Sequence, residues 1–177
     1  MRWIWIDRII ELDKGLRCVA IKNVTLAEDV LHDHFPAVTD EAGRALRPAM
    51  PVLPNTLIIE GMAQTAGILV GHANDFREKV ILAKIGKATF TAAAGPGHTL
   101  RYTATLERID PSGAATHGVV ELLDPAQPAA APVPLATIEL MFSHIDRNRA
   151  GLAFPEHNFV FTGQFRELIA AATAAKP

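Results

Sequence analysis

The chain has 177 residues, 49% hydrophobic and 20% charged, ordinary globular usage that argues against disorder of the whole chain and suits one domain. Its formal net charge of −2 comes with no run of Lys or Arg, so a phosphate-binding nucleic-acid surface is not indicated, and the acidic excess is too slight to suggest a basic partner. The one cysteine, Cys18, excludes an intramolecular disulfide and a tetrahedral cysteine zinc site.

The opening run from Met1 to Arg8 is not expected to be a secretory signal, because its apolar stretch is short and Asp7 and Arg8 interrupt it. With the cysteine usage, this points to a cytoplasmic location. Trp3 to Leu12 is rich in aromatic and β-branched residues and predicts a strand. Asp13-Lys14-Gly15 is a turn signal, and Arg17 to Val24 alternates, so an opening hairpin is expected. Cys18 lies within that apolar run and reads as a small core residue.

Residues 25–55 are expected to be irregular, since Pro36, Pro48, Pro51 and Pro54 prevent a long regular element. The polar stretch Val38 to Ala49 is expected to project as a flap. Leu57 to Ala73 then predicts a helix, capped by Asn55 or Thr56 with Pro54 just ahead. It is apolar nearly all round, the mark of a helix buried in a core or crossing a membrane. Glu60, Gln64 and three glycines within a short span argue against the membrane.

Strands are expected again from Val80 to Thr91, Thr99 to Ile109, Ala115 to Leu123 and Leu135 to Ile145, with turns at Gly95-Pro96-Gly97 and Pro111-Ser112-Gly113. Asp124 to Pro134 is a Pro/Ala-rich connection. Beyond Ile145 the composition shifts: Asp146 to Gly151 is polar, Phe154 to Thr162 aromatic and extended, and Phe165 to Ala174 has helical spacing. Residues 146–177 are too few to hold a core and are read as an extension packed on a domain of residues 1–145. Strands segregated around one buried helix predict an α+β fold.

Two places could carry chemistry. Glu60 lies about one turn into the apolar helix, and Gln64, four residues on, shares its face. A first-turn glutamate can simply favour the helix dipole from a solvated position. In apolar company, however, a carboxylate needs a partner or takes up a proton, and can then serve as a general acid. His34, in His32-Asp33-His34-Phe35-Pro36, is open to three readings: a polar surface residue, a metal ligand together with His32, or a general base or acid. No further Cys/His cluster supports the metal. The Pro54-Asn55-Thr56 segment, at a helix N-terminus, offers unpaired backbone N–H groups that could polarise a carbonyl. No G-x-S-x-G elbow, P-loop or dinucleotide fingerprint competes.

These residues resemble the FabZ/FabA-type 3-hydroxyacyl-[acyl-carrier-protein] dehydratases. His34-Phe35-Pro36 matches their His-Phe-Pro, and Pro54-Asn55-Thr56-Leu57-Ile58-Ile59-Glu60-Gly61-Met62-Ala63-Gln64 resembles their Pro-Gly-x-Leu-x-x-Glu-(Ala/Gly)-x-Ala-Gln. Asp7-Arg8-Ile9, the stretch from Ala20 to Thr25, the stretch from Leu82 to Phe90, and Gly95-Pro96-Gly97-His98 follow the same order as theirs. The resemblance implies a hot-dog fold, a long helix wrapped by a curved antiparallel sheet. It implies that His34 abstracts or relays the α-proton of a 3-hydroxyacyl thioester on acyl carrier protein or coenzyme A. Glu60, supplied by the other subunit, would handle the departing hydroxyl, and the Asn55 N–H would polarise the thioester carbonyl. Thr56, Gln64 and Phe35 would support the site. No metal or cofactor is implied, and the chain is expected to be a homodimer or a trimer of dimers.

The sequence departs from the pattern. Asp33, Ala37 and Asn55 stand where the family has glycine. Glu60 follows His34 at a wider spacing, the extra residues falling within 38–49. Two alternatives stay open: a hot-dog thioesterase in which Glu60 activates water without His34, and, motivated by the lost glycines, a non-catalytic acyl-binding or assembly subunit.

Overall fold

The computed structural model describes residues 3–145, 160–161 and 163–174. The polar stretch 146–151 and nearly all of the extended stretch 154–162 lie outside the described residues.

Strands β1 (Arg8–Asp13) and β2 (Arg17–Asn23) form the expected opening hairpin, turned at Gly15, whose φ of +70° suits glycine. The first strand starts later than expected. Residues from Trp3 to Ile6 lie outside it, because their backbone is partly engaged by the side chain of Gln64.

The stretch 25–55 is more regular than its prolines suggested. It holds a short helix α1 (Asp29–Asp33) and a two-stranded hairpin of β3 (Val38–Thr39) and β4 (Ala45–Arg47). All four prolines fall between these elements and interrupt none of them. The projecting flap is this hairpin, and the Asp40 carboxylate ties its turn by accepting from the N–H groups of Ala42 and Arg44.

Helix α2 (Asn55–Ala73) comes next. Neither Asn55 nor Thr56 caps it, contrary to expectation. Pro54 is the cap residue, its carbonyl accepting from the Leu57 and Ile58 N–H groups. Proline presets its own φ and brings no N–H to satisfy, which leaves Asn55 as the first helical residue.

Strands β5 (Val80–Phe90), β6 (Thr99–Asp110), β7 (Gly113–Leu123) and β8 (Val133–His144) join the hairpin in one antiparallel six-stranded sheet of order β1-β2-β6-β7-β8-β5. The alternation of β6, β7 and β8 turns Leu100, Tyr102, Val120, Ile138 and Leu140 inward, and α2 packs on that face. Contact is close enough to require glycine: a Cβ at Gly61 would lie 2.6 Å from the Tyr102 hydroxyl oxygen. This is the hot-dog arrangement, with α2 as the filling. Helix α3 (Gly163–Ala174) packs against β1.

Strand β5 is a sheet edge and is exposed along most of its length, including Ile81, Leu82 and Ile85. Exposed apolar edges are usually covered by another chain. Cys18, by contrast, is fully buried on β2, and that burial pushes its thiol up to about 12. Native protein at pH 8 is therefore expected to show no reaction with a thiol reagent, and one equivalent per chain after denaturation. Rapid labelling of native protein would contradict the placement of Cys18.

Candidate active site

His34 and Phe35 come just after α1 and are held by backbone hydrogen bonds to Met50 and Val52, ahead of α2. The Phe35 N–H donates to the Met50 carbonyl at 2.8 Å, Met50 N–H returns to Phe35 at 2.9 Å, and Val52 N–H donates to the His34 carbonyl at 3.1 Å. Leu53, two residues before the helix, is in turn fixed to the Ala94 carbonyl. The imidazole of His34 is thus anchored beside the N-terminus of α2.

Its Nδ1 lies 3.1 Å from the Val52 carbonyl oxygen. A carbonyl only accepts, so Nδ1 carries a proton, and in the neutral ring Nε2 keeps its lone pair. Nε2 has no hydrogen-bond partner among the described residues, and the side chain is half-buried. Phe35 stacks on the His34 ring at 4.2 Å and carries the Arg47 guanidinium over its face at 5.5 Å. His32 turns away to the Leu26 carbonyl at 2.7 Å. Among the described residues, no group of three or more His, Cys, Asp or Glu is placed to hold a metal ion.

Glu60 sits on the half-buried side of α2. Its Oε1 accepts from Gln64 Nε2 at 2.8 Å and from the Trp3 indole at 3.2 Å. Oε2 accepts no hydrogen bond among the described residues, which leaves one oxygen to act. Gln64 is buried and satisfies three groups at once. Its amide N–H also donates to the Trp3 carbonyl at 3.1 Å, and its oxygen accepts the Trp5 N–H at 2.8 Å. It therefore orients Glu60 and straps the N-terminal segment to the helix. Gln64→Leu leaves the Trp3 and Trp5 backbone groups without this partner. It is expected to lower stability by about 1–3 kcal/mol in denaturant unfolding and to red-shift tryptophan emission; an unchanged midpoint would contradict the strap.

Asn55 and Thr56 are exposed at the start of α2, and their N–H groups donate to nothing among the described residues. They present the donor pair and the positive end of the helix dipole.

Within one chain, His34 and Glu60 share no hydrogen bond, and their partners differ throughout. Glu60 opens instead on a cavity of about 300 Å³ beneath Trp3, which His34 does not line. Sequence reasoning missed Trp3, the Val52 carbonyl and the cavity wall from the C-terminal residues. Only the aromatic pair at Trp3 and Trp5 carried a signal, and it reads equally well as strand.

The FabA-like domain family matches residues 3–122. The chain is 33% identical over 141 residues to the 3-hydroxyacyl-[acyl-carrier-protein] dehydratase FabZ of Caldanaerobacter subterraneus subsp. tengcongensis, covering 79% of this chain and 86% of that protein. It is also 33% identical over 156 residues to the FabZ of Solibacter usitatus, covering 87% and 83%. Among solved structures it is similar to the dehydratase heterocomplex ApeI:P from Xenorhabdus doucetiae, with a TM-score of 0.57 at 17% identity, covering 82% of this chain and 85% of that one. A mutant acyl-CoA hydrolase from Staphylococcus aureus gives a TM-score of 0.56 at 14% identity, covering 77% and 72%. At such identities the two structures bear on the fold alone.

Proposed function

The chain belongs to the FabA-like family, and from that premise we propose that it is a hydro-lyase of fatty-acid synthesis, removing water from a 3-hydroxyacyl thioester of acyl carrier protein to give the trans-2-enoyl thioester. The supporting observation is that a chain one-third identical to such dehydratases holds both candidate groups ready, His34 with Nε2 unengaged and Glu60 with Oε2 unengaged.

The helix start binds the thioester carbonyl through the Asn55 and Thr56 N–H groups, which spread the charge that develops on oxygen as the α-carbon loses its proton. His34 Nε2 takes that proton, with Nδ1 tied to Val52 so that the ring cannot turn away. Glu60, in its protonated form, delivers a proton from Oε2 to the 3-hydroxyl, and the C3–O bond breaks to release water. The electron pair of the C2–H bond becomes the new double bond. Gln64 and the Trp3 indole hold Oε1 and keep Oε2 directed at the substrate.

The two groups act together when they come from two chains. The exposed apolar edge β5 and the lack of a His34–Glu60 hydrogen bond within one chain support a homodimer, in which the His34 of one protomer meets the Glu60 of its partner. Three such dimers form the hexameric alternative. Among the described residues no helix is long and apolar enough to cross a membrane, and the single buried thiol fits a cytoplasmic setting.

Incubating the protein with 3-hydroxyacyl-[acyl carrier protein] tests the reading. A rise in the conjugated enoyl-thioester absorbance without free thiol is expected. Thiol release with no enoyl product would overturn it in favour of hydrolysis.

A further inference from the structure

The cavity beside Glu60 runs along one stripe of α2, from Glu60 through Gln64 to Ile68. Eight helical rises separate its two ends, about 12 Å. The polar groups gather at the Glu60 end, and the far end is apolar. Part of the lining comes from far along the chain. Val160, Phe161 and Phe165 come from beyond the last strand, and they line the cavity together with Val80 and Phe142. Phe161 is buried, edge-on to Phe76 at 4.9 Å. It rests where Gly71 has no side chain, since a Cβ there would fall 2.4 Å from its ring. Phe165 belongs to α3, which is itself packed on β1.

We propose that Phe161 and Phe165 are the end wall of the acyl pocket and set the length of acyl chain that the protein takes. The proposal rests on the dehydratase reading for the chemistry at Glu60. An apolar cavity of about 150 Å³ holds one benzene, so the present one, about 300 Å³, has room for roughly a dozen carbons. The occupant is a medium-length acyl chain, its thioester end toward Glu60. Each buried methylene strengthens binding by about fourfold, until the chain meets the phenylalanines.

The test titrates the full chain with saturated S-acyl pantetheines of increasing length, which lack the 3-hydroxyl and cannot react. Wild type, Phe165→Ala and Phe165→Trp are compared by calorimetry. In the wild type affinity is expected to climb with each methylene and stop near roughly a dozen carbons. Phe165→Ala carries the climb to longer chains, and Phe165→Trp ends it at shorter ones. Superimposable length profiles in all three proteins would overturn the wall. So would a wild-type climb that continues unbroken past about sixteen carbons. Parallel assays for enoyl product separate the two claims. Shifted binding profiles without turnover in any protein leave the wall standing and remove the dehydratase reading. Turnover with unshifted profiles does the reverse.

Discussion

His34→Ala is expected to reduce formation of the enoyl thioester by a factor of about 10²–10⁴ in kcat, with little change in thermal midpoint. The size reflects the chemistry. The α-proton of a thioester leaves only if a base stands within reach, and water in the vacated space is a poorly placed substitute. The small effect on stability reflects the local structure. The loop is held by main-chain bonds from Phe35 to Met50 and from Val52 to His34, and none of them uses the imidazole. What is lost is the Nδ1 bond to the Val52 carbonyl and the stacking on Phe35, both at a half-buried site that water can reach. Near-normal turnover in this variant would remove His34 from the chemistry. A large drop in thermal midpoint would mean that the histidine is structural.

Glu60→Gln is the second large effect, again about 10²–10⁴ in kcat with KM little changed. The amide keeps the volume of the side chain. Its oxygen can still accept from Gln64 and from the Trp3 indole, so the strap on the N-terminal segment survives. What an amide cannot do is hand a proton to a departing hydroxyl. The loss should therefore appear in the chemical step and not in substrate binding. A variant with wild-type kcat would show that the hydroxyl leaves without help from this position. The calorimetric length profile of the same variant should match the wild type, because the far end of the cavity is untouched.

Much of the fold was legible because local pattern and burial agree. The run from Leu57 to Ala73 is apolar nearly all round, and it is the helix at the centre of the sheet. The alternation of Leu100, Tyr102 and Ala104 marks the inward face of β6. The motif residues were legible for the same local reason, since His34-Phe35-Pro36 and the helix start each lie in one short stretch. What escaped is non-local. Trp3 to Ile6 has the composition of a strand, yet the Trp3 carbonyl and the Trp5 N–H are met by the Gln64 amide, a partner some sixty positions away that no propensity records. The β3–β4 hairpin was hidden by counting prolines without noting where they fall; Asp40 and Gly43, whose φ is +77°, were the available signals. Nor does a strand pattern say whether its edge is paired, so the exposure of β5 needed coordinates. The wall of Phe161 and Phe165 brings residues after β8 to the C-terminal half of α2, where Phe161 rests against Gly71.

Loss of each side chain separates the open readings. A thioesterase using Glu60 alone would tolerate loss of His34, and a binding subunit would tolerate loss of both. Dehydration by a shared site tolerates neither, and it alone predicts that two dead proteins can repair one another.

That repair is the most direct measurement. His34→Ala and Glu60→Gln chains, each nearly inactive, are unfolded together in equal amounts, refolded and assayed for enoyl thioester. If the histidine of one protomer works with the glutamate of its partner, half of the dimers are mixed, and each mixed dimer regains one intact site, so about one quarter of wild-type activity should return. Activity no greater than the sum of the two variants refolded alone would contradict the shared site.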